Sequence, residues 1–400
     1  MRGGVAAGIR AAVVGSLVLA LAACSPSAGG TRADSTGGLD AEQVNAAASP
    51  TVTPPKVSVS PAAGSTDVRL DRPVVVRVRD GRLSRISLRA RDGKATRGRL
   101  NRSATGWKAT GPWEPSTAYR LTVVALDVDG GEHRTMVTFR TLTPQAEVST
   151  TVQPWNGQVV GVGMPVTVTF SHAVTNRKAA QAALTVRSTP SVVGAWRWTS
   201  STQVQWRPRR YWPAGTRVTV SSDLRGVQVA SGTWGTTDDR SSFRIGSAMV
   251  STVDIDRHAM TVRRNGAVIR RIPITTGKKS FETRNGIKVI MTRERKHRMD
   301  ARSTGIEKDD PEYYNLVVDY AMRLTWSGEF LHAAPWSAAS HGSANVSHGC
   351  TGMSMANAKW LYDHSTIGDV VEYKGGRRPL EWGNGITVWN RSFADWSAGS

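Results

Sequence analysis

Short segments that alternate apolar and polar residues, cut apart by turn signals, run through much of this 400-residue chain and leave little room for any fold but a β one. The first set is Lys56-Val57-Ser58-Val59, Val74-Val75-Val76-Arg77-Val78, Tyr119-Arg120-Leu121-Thr122-Val123 and Met136-Val137-Thr138-Phe139-Arg140, with turns at Pro61 to Ser65 and Asp127 to Gly131. Alternation at period two leaves one face of each strand apolar, and that face must be covered by a second layer. The pattern predicts a small all-β sandwich.

The set then recurs. Pro165 to Phe170 echoes Pro73 to Val78, Thr216 to Val220 echoes Tyr119 to Val123, and Ser242-Phe243-Arg244 echoes Thr138-Phe139-Arg140. The offset is roughly 90 to 105 residues, the size of one immunoglobulin-type sandwich. Tandem sandwiches are therefore expected at 54–144 and 145–247. Neither contains a cysteine or a catalytic cluster, so both read as spacers. Trp155, Trp196, Trp206 and Trp212 are expected mostly to pack inside the second, with ligand binding the alternative use of any that stay exposed.

A third domain, 248–375, opens with Thr252 to Asp256, Ala259 to Arg263, the turn Asn265-Gly266 and Val268 to Ile274; Asn-Gly between alternating runs signals a hairpin. Strands are expected again at Ile287 to Met291, from Tyr314 to Trp326 and on to His332, and at Asp369 to Tyr373. Ser354 caps one helix carrying Ala356, Ala358, Leu361 and Tyr362. The tail, 376–400, holds Trp382, Trp389, Phe393 and Trp396, which favour docking on the third domain and bracing it against its neighbour. The expected fold class is mainly β: two immunoglobulin-like sandwiches, then a β-rich domain with one or two short helices.

The chain begins as an export signal does. Arg2 and Arg10 precede the apolar run Ala11 to Leu21, which is too short to span a bilayer. Leu21-Ala22-Ala23-Cys24 resembles the lipobox of bacterial lipoproteins, which implies lipidation of Cys24, an anchor on the outer face of the cytoplasmic membrane and reach into the wall. Residues 25–53 are Ser, Gly, Ala and Asp with few large apolar groups, the composition of a flexible tether. A net charge of +21, from 52 Lys and Arg against 31 Asp and Glu, favours polyanions. In an exported protein these are headgroups and anionic wall polymers; no nucleic-acid motif is present. Scattered arginine on a solvated face gives the same total.

If Cys24 is lipidated, Cys350 has no disulfide partner in the chain. A free thiol on an exported protein oxidises or mispairs unless it is used. Gly349 lets the backbone bend before it, and the helix that starts near Ser354 places an N-terminal dipole nearby, which predicts an easily formed thiolate. His332 and Ser347-His348-Gly349-Cys350 are separated by fourteen residues. A zinc site from His332, His341, His348 and Cys350 fits no trusted ligand spacing. No cofactor is called for.

This His, gap, Ser-His-Gly-Cys motif and the β-rich domain around it resemble the L,D-transpeptidase family, in its lipoprotein form with tandem immunoglobulin-like modules. The resemblance implies Cys350 as nucleophile and His332 as general base. It places Tyr314 with the backbone N–H groups near Gly349 and Cys350 around the oxyanion, and His348 in shaping the Cys350 loop. Met299, Tyr314, Ser327, Gly328, Trp336, Ser347 and Gly352 would form the substrate pocket. It also implies a tetrapeptide stem of peptidoglycan as donor, a diamino-acid amine as acceptor, a 3–3 cross-link as product and acylation by carbapenems.

Ala333, where relatives often have serine, requires a backbone carbonyl to orient His332; Gly352, often asparagine or arginine, removes a side chain from the donor grip. Sortases and papain-like endopeptidases order their motifs differently. The remaining rival is a non-catalytic wall-binding lipoprotein, which only Gly352 favours.

Overall fold

The computed structural model describes residues 53–399, so Cys24, the export signal and nearly all of the tether lie outside the described residues. The described residues form one compact unit. Its fold class is the expected one, mainly β with few helices.

In the first sandwich, Lys56–Ser60, Val74–Arg79, Gly106–Ala109 and Arg99–Leu100 make one sheet; Ala95–Thr96, Arg82–Ala90, Ala118–Leu126 and Glu132–Arg140 make the other. Val74, Val76 and Val78 meet Leu88, Leu121, Val123 and Phe139 in the core, each one strand position in two, as the alternation demands. The second sandwich pairs Thr150–Gln153, Val166–Phe170, Gln203–Pro208 and Gly194–Trp198 against Val159–Val160, Asp238–Ile245, Arg217–Asp223 and Leu184–Thr189. Trp206 and Trp212 are buried there and Trp196 packs against the core, while Trp155 stays exposed. Trp234, on Thr233–Gly235, is 2% exposed and belongs to the core of the first sandwich, so one indole ties the two modules together.

Two sheets build the third domain. One runs Ala267–Pro273, Ala259–Arg264, Met249–Asp254, Val370–Lys374, Gly286–Val289; the other runs Thr292–Asp300, Asn315–Arg323, Phe330–Ala333, Thr351–Met353. The last two strands are parallel, with His332 opposite Gly352. This pairing brings a histidine and a cysteine eighteen positions apart in the chain to the same end of the sheet. The helix Met355–His364, capped by the Ser354 side chain on Asn357 N–H, lays Ala358 and Leu361 on the core behind them.

The tail docks on two domains, between the third domain and the second sandwich. Trp389 and Trp396 pack with Val289 and Ile287 of the third domain and with Ala195 and Tyr211 of the second sandwich. Their indole N–H groups donate to Gly163 O at 2.7 Å and Ala195 O at 2.8 Å, both on the sandwich. Buried Arg207 sits against both rings and donates to the Arg391 carbonyl at 2.8 Å. An indole buries well only where its N–H finds an acceptor, and the sandwich supplies the carbonyls. Trp396→Ala is expected to cost about 3 to 5 kcal/mol, read as a lower urea midpoint.

Candidate active site

Cys350 and His332 line one cavity of about 270 Å³ with Met299, Tyr314, Trp336, Ser347, His348 and Gly352. The turn before Cys350 is built locally. Gly349 has φ of +119°, a conformation that side chains oppose, and the Ser347 hydroxyl spans the turn by donating to Cys350 O at 2.6 Å and accepting from Gly349 N–H at 3.1 Å. The Gly349 N–H is therefore already committed to Ser347. That leaves the Cys350 N–H, which has no protein acceptor among the described residues, as the backbone donor still open at this turn.

The sulfur is held by backbone on both sides of Glu329: Sγ–H donates to Gly328 O at 3.5 Å, and the Phe330 N–H reaches the sulfur. Burial pushes the Cys350 thiol up to about 12. This corrects the expectation of an easily formed thiolate. The strand Thr351–Met353 separates the cysteine from the cap at Ser354, so the helix end lies too far along the chain to act on it, and desolvation dominates.

Nδ1 of His332 lies 2.8 Å from the Ala333 carbonyl. A carbonyl only accepts, so Nδ1 carries the proton and Nε2 offers its lone pair to the cavity. Burial pushes the imidazole down to about 4, which keeps it neutral across the physiological range. The Trp336 ring lies nearly parallel to it at 5.9 Å and is 60% exposed, forming the cavity rim. The resting pair is thus thiol and imidazole, both neutral, rather than an ion pair.

His348 is hydrogen-bonded to Glu312 at 2.6 Å and sits between the rings of Phe281 and Tyr314, at 4.7 and 5.0 Å. Glu312 also accepts from Lys278, and these two contacts hold its carboxyl below the usual range. Burial, with Cys350 nearby, pushes Tyr314 up to about 12, so its hydroxyl stays a donor. Among the described residues no group of three or more His, Cys, Asp or Glu is gathered for a metal.

Two pocket residues lie elsewhere than expected. Ser327 is turned to the tail, bonded through its N–H and hydroxyl to Asn384, and does not line the cavity. Gly328 contributes its carbonyl to the sulfur rather than a wall to the pocket. Both lie at the turn Trp326-Ser327, after which Gly328 takes a φ of +95°. Thr275, Leu316, Ser337 and Glu312 join or brace the site without any signal in motif or spacing.

Gly352 has a steric reason. A Cβ there would come within 2.8 Å of Ala334 Cβ and 3.1 Å of Thr275 Cγ2, so this pocket accepts no side chain at that position unless a wall moves.

Residues 65–228 match the family model of a bacterial Ig domain, which spans both sandwiches, and residues 248–372 match that of the L,D-transpeptidase catalytic domain. L,D-transpeptidase 2 of Mycobacterium tuberculosis is 35% identical over 349 residues, 86% of this chain and 85% of that protein. L,D-transpeptidase 1 of the same species is 42% identical over 224 residues, 56% of this chain and 84% of that protein. A solved structure of an L,D-transpeptidase in complex with imipenem is 41% identical, with a TM-score of 0.50, covering 58% of this chain and 100% of that one. A relative this similar along most of both chains, together with a matching catalytic domain around a buried cysteine and histidine, places the protein in the L,D-transpeptidase family as a cysteine acyltransferase.

Proposed function

We propose that the chain forms 3–3 peptidoglycan cross-links through an acyl-enzyme on Cys350. The single observation that carries this reading is the shared cavity of His332 and Cys350, with Nε2 of the histidine left free by the Nδ1 bond to Ala333. Cys350 Sγ attacks the carbonyl of the third residue of a tetrapeptide donor as its proton passes to His332 Nε2. Cys350 N–H and the Tyr314 hydroxyl stabilise the oxyanion. Collapse breaks the amide, His332 returns the proton to the leaving D-alanine amine, and a thioester remains. A side-chain amine of a second stem then attacks the thioester, passes a proton through His332 and restores the thiol. Met299, Trp336 and Gly352 bound the donor, and His348, fixed by Glu312, holds the loop.

The domain limits follow the same reading: sandwiches at 54–144 and 145–247, the catalytic domain at 248–375, and the tail from 376 as a brace. Lipidation of Cys24 anchors the protein outside the cytoplasmic membrane, the tether and sandwiches extend it into the wall, and its basic charge adds affinity for anionic wall polymers. Imipenem is expected to acylate Cys350. Intact mass of the soluble chain from Ser25 gives the test: an adduct on the parent and none on Cys350→Ala supports the reading, and no adduct on the folded parent overturns it.

The neutral resting pair has a kinetic signature. Because His332 stays unprotonated down to about 4, it takes up a proton only as the pH falls through that value, and Cys350 loses its own only near 12. The second-order rate of acylation by imipenem, which reports the free enzyme, is expected to show no inflection at the ordinary histidine value near 6.5 and to fall only as pH approaches 4.

A further inference from the structure

Behind the nucleophile lies a buried charge cluster that the reaction scheme does not use. Lys288 on Gly286–Val289 is 0% exposed, its ammonium bonded to the Glu329 carboxylate and lying 3.7 Å over the Tyr373 ring. The other oxygen of Glu329 accepts from the Arg284 guanidinium and the Arg284 N–H, both at 3.0 Å, and Arg284 reaches Glu381 at the rim. Burying a lysine is expensive unless its charge is answered, and burial here does push Lys288 down.

The position of Glu329 explains why a carboxylate stands there. It is the residue between Gly328, whose carbonyl accepts from the sulfur, and Phe330, whose N–H reaches the sulfur. Fixing its side chain fixes both groups. Thr283, next to Arg284, donates from its hydroxyl to Gly349 O at 2.8 Å, and the Tyr373 hydroxyl is bonded to Thr351 at 2.7 Å, so the cluster also grips the residues on either side of Cys350. An anion so close opposes a thiolate, and Lys288 opposes the anion. The ionisable groups around the sulfur are Glu329, Lys288, Arg323, His332, His348, Tyr314 and Tyr373; of the first three, Glu329 disfavours the thiolate, and Lys288 and Arg323 favour it.

We propose that Glu329 positions the backbone cradle of Cys350 and that Lys288 is a positioning residue that cancels the Glu329 charge, so that the sulfur can become an anion during attack. This rests on Cys350 being the nucleophile.

Alkylation of the full soluble chain by iodoacetamide between pH 7 and 9 tests it. With every variant compared in a His332→Ala background, where no base takes the proton, the logarithm of the rate rises linearly with pH in this range for a thiol that titrates higher, so a change in thiolate fraction displaces the whole line. Lys288→Met, which keeps the stem and leaves Glu329 held by Arg284, is expected to alkylate about tenfold more slowly at every pH, one unit of pKa. Lys288→Met with Glu329→Gln removes both charges and is expected to return to within about threefold of the parent. A cluster that only supports the fold would lower the melting temperature and speed alkylation by exposing the sulfur. Unchanged or faster alkylation of folded Lys288→Met, or a double variant as slow as the single, overturns the proposal. Equal labelling of Cys350→Ala, or no imipenem adduct on the parent, strikes instead at the nucleophile reading.

Discussion

Cys350→Ala is expected to lower D-alanine release from a tetrapeptide donor by at least about 10⁴-fold, to the background of the solution reaction. The size follows from the role. Removing a covalent nucleophile deletes both half-reactions, and no other thiol is present among the described residues to replace it. The variant is expected to fold, because the sulfur fills little space and the turn around it is held by Ser347 and Thr283 rather than by Cys350 itself. Mass spectrometry of liberated D-alanine, beside a circular dichroism spectrum of the same sample, checks both statements. Release within about tenfold of the parent would require another nucleophile.

His332→Ala is the second large effect, an expected loss of about 10² to 10⁴ in kcat/KM for the same donor. A thiol that titrates near 12 has almost no thiolate at neutral pH, so without Nε2 the proton must leave to hydroxide. The variant should therefore gain rate steadily as pH rises from 6 to 9, where the parent is nearly flat. A parallel pair of profiles would show that the imidazole is not the base. Because Nδ1 is tied to the Ala333 carbonyl, Ala333→Ser is expected to leave the parent profile in place, since the backbone acceptor survives the substitution.

Much of this was legible in the chain itself. Pro73 to Val78 and Pro165 to Phe170 read as strands because alternation has one face to bury, and the structure forms Val74–Arg79 and Val166–Phe170 there. By contrast, Thr292–Asp300, Thr-Arg-Glu-Arg-Lys-His-Arg-Met-Asp, carries no apolar alternation at all. It is a strand because Asn315–Arg323, itself expected as a strand, pairs with it along nearly its whole length, a pairing that no local pattern announces. Trp234 gave no hint that it would leave its own module for the core of the preceding one. Glu312 and Lys288 were equally silent, since contacts between residues tens of positions apart depend on how sheets close.

What the sequence determined alone was therefore the kind of fold, because period-two patterning is local in the chain, and its His-to-Cys motif singled out His332 and Cys350 for the proposed chemistry through a family resemblance. What only the tertiary structure decided was the state of those residues. Proximity to a helix start suggested a thiolate, whereas burial of Cys350 and His332 behind two sheets made both neutral. Desolvation depends on everything packed around a group, and that sum exists only once the chain has folded.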